Sequence, residues 1–274
     1  MANTYLQCLS LSPISYIQQR SRPINEPTDK THRNDIYGDL APVAADSIAP
    51  PIPAATVVML RDVTTCASGV EVLMLKKNSK IAFGGMWVFP GGRIDAEDYP
   101  PDGDLDVAAR NAAARETFEE AGLQAAAEDF VLFAHWTPPA TTPKRFATWF
   151  FATRVLVDSP VQIDGGEILE HLWIDPADAL ARHKAGEIDL APPTWITLHQ
   201  LTLHGASESI LAHFQANPHN VYATRVVKNS AGVRVALWAG DAGYGAADAD
   251  VAGDRHRLVL AEDGFVFENS VVRY

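Results

Sequence analysis

The sequence predicts an α/β fold with a helical and β-rich C-terminal extension. Three observations carry that prediction. Short apolar runs bounded by turn residues recur through the middle of the chain, a long alanine-rich helix is set among them, and the segment after residue 221 returns to strands ending in a hairpin. The 274 residues are 47% hydrophobic and 20% charged, which suits one large globular domain or one domain with appendages.

Residues 1–52 are rich in Ser, Pro, Asn and Thr and lack a sustained period, ending in the Ala/Pro run 41–53. They read as a flexible leader and linker, mostly disordered or draped over the domain. Order is expected from Ala54, with a domain over 53–215 and a β-rich extension over 216–274. Residues 55–60 and 70–75 are compact apolar runs, each a buried strand, and residues 66–69 supply the turn. Trp87-Val88-Phe89 is a third strand, stopped by Pro90-Gly91-Gly92. A helix starts at Asp104 or Asp106, runs through alanines 108, 109, 112, 113 and 114, and stops at Gly122. Val107, Ala114, Phe118 and Ala121 are expected to form its apolar stripe.

Residues 130–136, 146–157 and 167–174 read as strands. Asp175-Pro176 opens a helix with proline at the first position. Helices follow from Pro192 and over 207–215. Strands are then expected over 221–227 and 233–238, and a hairpin over 257–268 turns at Asp263-Gly264. The intervening 239–256 is a Gly/Asp/Ala loop.

A net charge of -12 argues against general nucleic-acid or membrane-surface binding. No run approaches the ~18 apolar residues of a membrane span. Cys8 and Cys66 are the two cysteines, which fits a reducing cytoplasm and no structural disulfide. Residues 1–25 lack acids and carry Arg20 and Arg22, a faint transit-peptide signal without an apolar core for secretion.

The chemistry is concentrated in Arg115-Glu116-Thr117-Phe118-Glu119-Glu120-Ala121-Gly122-Leu123. Glu116 and Glu120 are four apart and share a helical face, with Glu119 beside them. Like charges at a helix C-terminus repel each other and oppose the dipole. A hard divalent cation removes that conflict, and such cations pair carboxylates with substrate phosphates.

This stretch, with Pro90-Gly91-Gly92 ahead of it, resembles the Nudix box. The resemblance spans Gly91–Leu123 and implies an α/β/α sandwich with a mixed sheet. It also implies Mg²⁺- or Mn²⁺-dependent hydrolysis of nucleoside diphosphates linked to another moiety. On it, Glu116, Glu119 and Glu120 are metal ligands, and Glu116 or Glu120 also activates the attacking water. Arg115 braces the acids, while Gly91 and Gly92 bring backbone close to metal or phosphate. The chain departs from the box in a loop inserted over 99–104 and in Thr117 where an aliphatic is usual. Asp95, Glu97 and Asp98 all remain open as the first acid of the box.

Leu73–Asn78 and Phe83–Gly92 resemble the branch containing the peroxisomal coenzyme A diphosphatases, although Lys77-Asn78 stand where Arg-Ser is usual and the chain ends Val271-Val272-Arg273-Tyr274 rather than Ser-Lys-Leu. Coenzyme A, ADP-ribose, a dinucleotide and a nucleotide sugar are the candidate substrates. The competing reading is a non-catalytic Nudix-fold sensor. The implied partner is a small nucleotide, with neither nucleic acid nor membrane, and a homodimer is allowed.

Weaker signals remain. Lys144 and Arg145 are candidate phosphate contacts, as are Lys76, Lys77 and Lys80; solvated loops are the plainer explanation. Glu167 or Glu170 could add an acid from outside the box. Trp87, Trp136 and Trp195 read as core. His135, His171 and His199 read as structural or surface residues. Asp241, Asp248, Asp250 and Asp254 miss EF-hand spacing and are expected in a solvated loop.

Overall fold

Strand β1 (Ile52–Asp62) is the axis of the larger sheet. Its side chains alternate between two buried faces: Ala55, Val57 and Met59 enter one core, Val58 and Leu60 the other. That explains a continuous apolar run in place of an alternating one. The computed structural model describes residues 32–37, 48–64, 68–80, 83–142, 144–155 and 160–274. Cys8, Cys66 and most of the leader lie outside these.

Strand β1 pairs antiparallel with β2 (Val70–Lys77) and with β4 (Gly91–Arg93), and parallel with β6 (Phe146–Arg154). The eight-stranded sheet runs β3-β2-β1-β6-β5-β8, with β4 on β1 and β7 on β2. Here β3 is Trp87–Val88, β5 Val131–Thr137, β7 Ile168–Ile174 and β8 Asn220–Ala223. Helix α1 (Leu105–Ala121) covers one face. Helices α2 (Pro176–Ala185), α3 (Pro192–Leu201) and α4 (Ser207–Ala216) contribute to the core on the other. This is the mixed-sheet α/β arrangement expected from the sequence.

The second sheet is antiparallel, in the order β12-β11-β10-β9. It contains β9 (Arg225–Lys228), β10 (Arg234–Leu237), β11 (His256–Ala261) and β12 (Gly264–Asn269). The single strand expected over 221–227 is therefore two. The chain breaks at Thr224, whose N–H bonds the Thr137 carbonyl and whose hydroxyl accepts from the Trp238 indole. Before that break β8 runs parallel to β5 in the large sheet; after it β9 belongs to the small one.

Two further expectations are corrected. Phe118 and Val107 are exposed, whereas Ala108, Ala109, Ala112, Ala113 and Thr117 are fully buried. A face of small side chains lets α1 lie close on the sheet, leaving no room for a phenyl ring. Thr117 fits because its hydroxyl donates to the Ala113 carbonyl one turn earlier. Asp241 is also no solvated loop acid: it is buried and receives Arg257 through two nitrogens at 2.6 and 2.7 Å.

Residues 32–37 pack on the folded body. Arg33 donates to the His183 and Ile188 carbonyls, and Asn34 to those of Ala261 and Glu262. Asp35 forms a buried ion pair with Arg234. Trp136 is core, stacked on Tyr222 at 3.7 Å, and Trp87 is buried.

Candidate active site

Local structure places the acids. Asp104 caps α1 by accepting from the N–H groups of Asp106 and Val107. The helix ends at Gly122 with φ +67°, a left-handed conformation that favours glycine. Arg115, Glu116, Glu119 and Glu120 thus occupy the last two turns. Strand β4 lies alongside, Gly91 opposite Thr56 and Gly92 opposite Ala55. A Cβ at Gly91 would strike the Ala55 carbonyl and Thr56, and one at Gly92 would land on the Glu116 carboxylate. The double glycine is what lets α1 bring its acids onto this strand.

Glu120 is almost fully buried. One carboxylate oxygen accepts from the Gly91 N–H at 3.0 Å, the other from the Lys77 ammonium at 2.7 Å. Glu116 is partly buried and accepts from Arg115 Nη1 at 2.9 Å. Burial pushes both carboxyls above the usual glutamate range, Glu119 adding to it at Glu116 and Glu116 at Glu120; Arg115, Lys77 and the Gly91 N–H offset this only in part. Glu119 turns outward, 56% exposed, and meets Arg115 at 3.2 Å.

Arg115 is fixed by the acid that sequence reasoning left open. Its Nε and Nη2 bond the two oxygens of Asp98 at 3.0 and 2.9 Å, and Nη2 also bonds the Arg93 carbonyl. Asp95 is further away, at 3.8 Å. Asp98 caps its own short turn by accepting from the Asp95 N–H, and its carbonyl accepts from Asn111, one turn before Arg115 on α1. Burial raises the Asp98 carboxyl, but the Arg115 hydrogen bonds and charge outweigh it and hold it below the usual carboxylate range. The same contacts drive the guanidinium pKa upward.

The oxygen donors suit a hard cation. Glu116 and Glu120 share the face toward Gly91-Gly92, and two partly desolvated carboxylates there call for positive charge. Among the described residues, however, no three acidic, histidine or cysteine side chains are gathered closely enough to form a ready metal cage. Glu119 stands apart in this arrangement, held by Arg115.

Not every expected residue joins the cluster. Arg145 donates to the Ala49 and Pro138 carbonyls, and Lys144 lies over the Phe146 ring. Arg145 adjoins the start of β1, four strand positions from the Thr56–Gly91 pair, or about 13 Å. Lys76 pairs with Glu170, and Lys77 is also 3.9 Å from Glu167. A shallow hollow of about 500 Å³ lined by Ala114, Phe118 and Gln124–Ala126 lies on the flank of α1 away from Glu116 and Glu120.

The NUDIX domain family matches residues 50–210, which contain this whole cluster and the eight-stranded sheet except β8. The chain belongs to the Nudix family. A Caenorhabditis elegans protein named "Putative nudix hydrolase 7" is 26% identical over 176 residues, covering 51% of this chain and 58% of that protein. The chain therefore spans just over half the length of that Nudix relative. A Nudix hydrolase structure from Alicyclobacillus acidocaldarius superposes with a TM-score of 0.54 at 23% identity, over 62% of this chain and all of the other. That likeness concerns the Nudix fold.

Proposed function

We propose that this chain is a divalent-metal-dependent hydrolase that cleaves the pyrophosphate bond of a nucleoside diphosphate derivative. The observation that carries this reading is the pair Glu116 and Glu120, turned together onto Gly91-Gly92 with Arg115 locked beside them. Glu116 and Glu120 would hold Mg²⁺ or Mn²⁺, and Glu119 would join them by exchanging its Arg115 contact for the ion. A bound cation would neutralise phosphate charge and acidify a water.

The protein's own groups supply the rest. Arg115, pinned by Asp98, keeps Glu116 in one orientation, so the carboxylate is set before substrate arrives. Glu116 or Glu120 accepts the proton of the water that attacks phosphorus. The glycines let the Glu116 and Glu120 carboxylates lie directly on β4, where a Cβ would strike Ala55, Thr56 or the Glu116 carboxylate. Lys144 and Arg145 remain candidate contacts for the remote part of the substrate.

The substrate classes are coenzyme A, ADP-ribose, a dinucleotide and a nucleotide sugar, acted on in the cytoplasm by a monomer or homodimer. Coenzyme A heads the panel because of the motif around Leu73–Gly92. Purified protein is incubated with each compound and Mg²⁺ or Mn²⁺ in ¹⁸O-water, and products are read by chromatography and mass spectrometry. The reading expects metal-dependent cleavage with one ¹⁸O in a phosphate product. Tight binding without cleavage across the panel would favour the sensor reading instead.

A further inference from the structure

Lys77, the last residue of β2, carries an inference that rests on the hydrolase reading. Its ammonium lies 2.7 Å from Glu120 and 3.9 Å from Glu167. The Lys77 and Glu120 side chains are only 13% and 5% exposed. Lys76, pointing to the other side of the strand, pairs with Glu170 in solvent. One lysine of this pair is thus sunk into the acid cluster.

Among the described residues two cationic side chains, Arg115 and Lys77, reach Glu116, Glu119 and Glu120, and they differ in freedom. Arg115 is committed to Asp98, Glu116, Glu119 and the Arg93 carbonyl, and its planar fork cannot leave one without disturbing the others. Lys77 makes one close ionic contact through a compact charge on a flexible stem. A buried carboxylate destined for a divalent ion cannot stand unpaired without it, because an uncompensated buried charge is costly.

We propose that Lys77 is a displaceable counter-cation for the metal site. In the metal-free protein it pairs with Glu120 and holds it in position; a divalent ion would take over the same carboxylate oxygen and release the ammonium. The freed charge then favours an anionic diphosphate arriving at the cluster. Lys77 accordingly lowers metal affinity and raises substrate affinity, a positioning role with opposite signs for the two ligands.

The test is a Mn²⁺ titration of the full chain, read by electron paramagnetic resonance of the free ion. Lys77→Met should bind Mn²⁺ tighter by on the order of tenfold, the scale of one positive charge removed from a partly buried site. The KM for the diphosphate substrate should rise. Lys76→Met changes net charge equally and should leave Mn²⁺ affinity as it is. In the wild-type protein, Mg²⁺ should speed acetylation of Lys77 several-fold, read by peptide mass spectrometry, which needs no variant to fold. Unchanged or weaker Mn²⁺ binding by folded Lys77→Met, or an acetylation rate indifferent to Mg²⁺, overturns the inference in a protein that still hydrolyses diphosphates. Absence of both Mn²⁺ binding and hydrolysis in the wild type overturns the hydrolase reading, and this inference with it.

Discussion

Asp98 receives Arg115 through two parallel hydrogen bonds, Nε to Oδ1 at 3.0 Å and Nη2 to Oδ2 at 2.9 Å. Asp98 directly precedes the inserted loop 99–104 and Arg115 lies well inside α1 beyond it, so the pair ties the start of the loop to the helix and aims the remaining nitrogen at Glu116. Asp98→Asn replaces the charged half of the fork, and Arg115→Lys replaces the fork with a point charge. Either change should lower kcat/KM about 10- to 100-fold, the usual scale for removing a group that orients a ligand. Steady-state kinetics on variants with unchanged circular dichroism checks this.

Gly92 and Glu116 make a second dependency. A methyl group at residue 92 displaces the carboxylate, so Gly92→Ala should weaken Mn²⁺ binding at least about tenfold by moving a ligand. Gly245 has open space around it and no left-handed backbone, and Gly245→Ala should leave binding unaffected. Calorimetric Mn²⁺ titration of the two variants decides the matter.

The packing of α1 predicts an inverted pattern of sensitivity. Ala113 is fully buried against the sheet, while Phe118 is 55% exposed. Ala113→Leu should cost about 1–3 kcal/mol through overpacking. Phe118→Ser should stay within about 0.5 kcal/mol. Urea unfolding would contradict the observed helix face if the larger loss came from residue 118.

The C-terminal sheet should report its buried ion pair in acid. Burial raises the Asp241 carboxyl, yet Arg257 and the N–H groups of His256 and Gly243 pull harder and leave it below the ordinary aspartate range. The unfolded chain therefore takes up a proton before the folded one does. Asp241 contributes stability above its unfolded pKa and loses it as pH falls through the folded value. Asp241→Asn should cost about 3–5 kcal/mol near neutral pH, since it leaves Arg257 buried without its counter-charge. It should also flatten the acid limb of the stability curve, measured by denaturant unfolding at several pH values.

Much of this was readable from residue order. A cap at Asp104 or Asp106, the Gly122 stop and the Asp175-Pro176 helix start follow local rules, and all are present, the cap being Asp104. So are the apolar runs that became β1 and β2. The i,i+4 spacing of Glu116 and Glu120 put them on one face of α1, where they are found. What failed depends on contacts distant in sequence. Phe118 looked like core because bulk was read as burial, when the close approach of α1 selected alanine and threonine. Asp98 could not be separated from Asp95 and Glu97 without the turn that carries it, although Asn111 and Arg115, one helical turn apart, both reach it. The short β4 was hidden because two glycines give no apolar signal. Its existence depends on backbone pairing with β1.

The claim on which the rest depends is that Glu120, held between Gly91 and Lys77, is part of a metal-dependent hydrolytic centre. The most direct measurement is Mg²⁺-dependent turnover of the best diphosphate substrate by wild type and by Glu120→Gln, with folding matched by thermal melting. The account predicts loss of at least about 1,000-fold in kcat, as for removal of a group essential to the transition state. A folded Glu120→Gln protein that turns over at the wild-type rate with Mg²⁺ would contradict it.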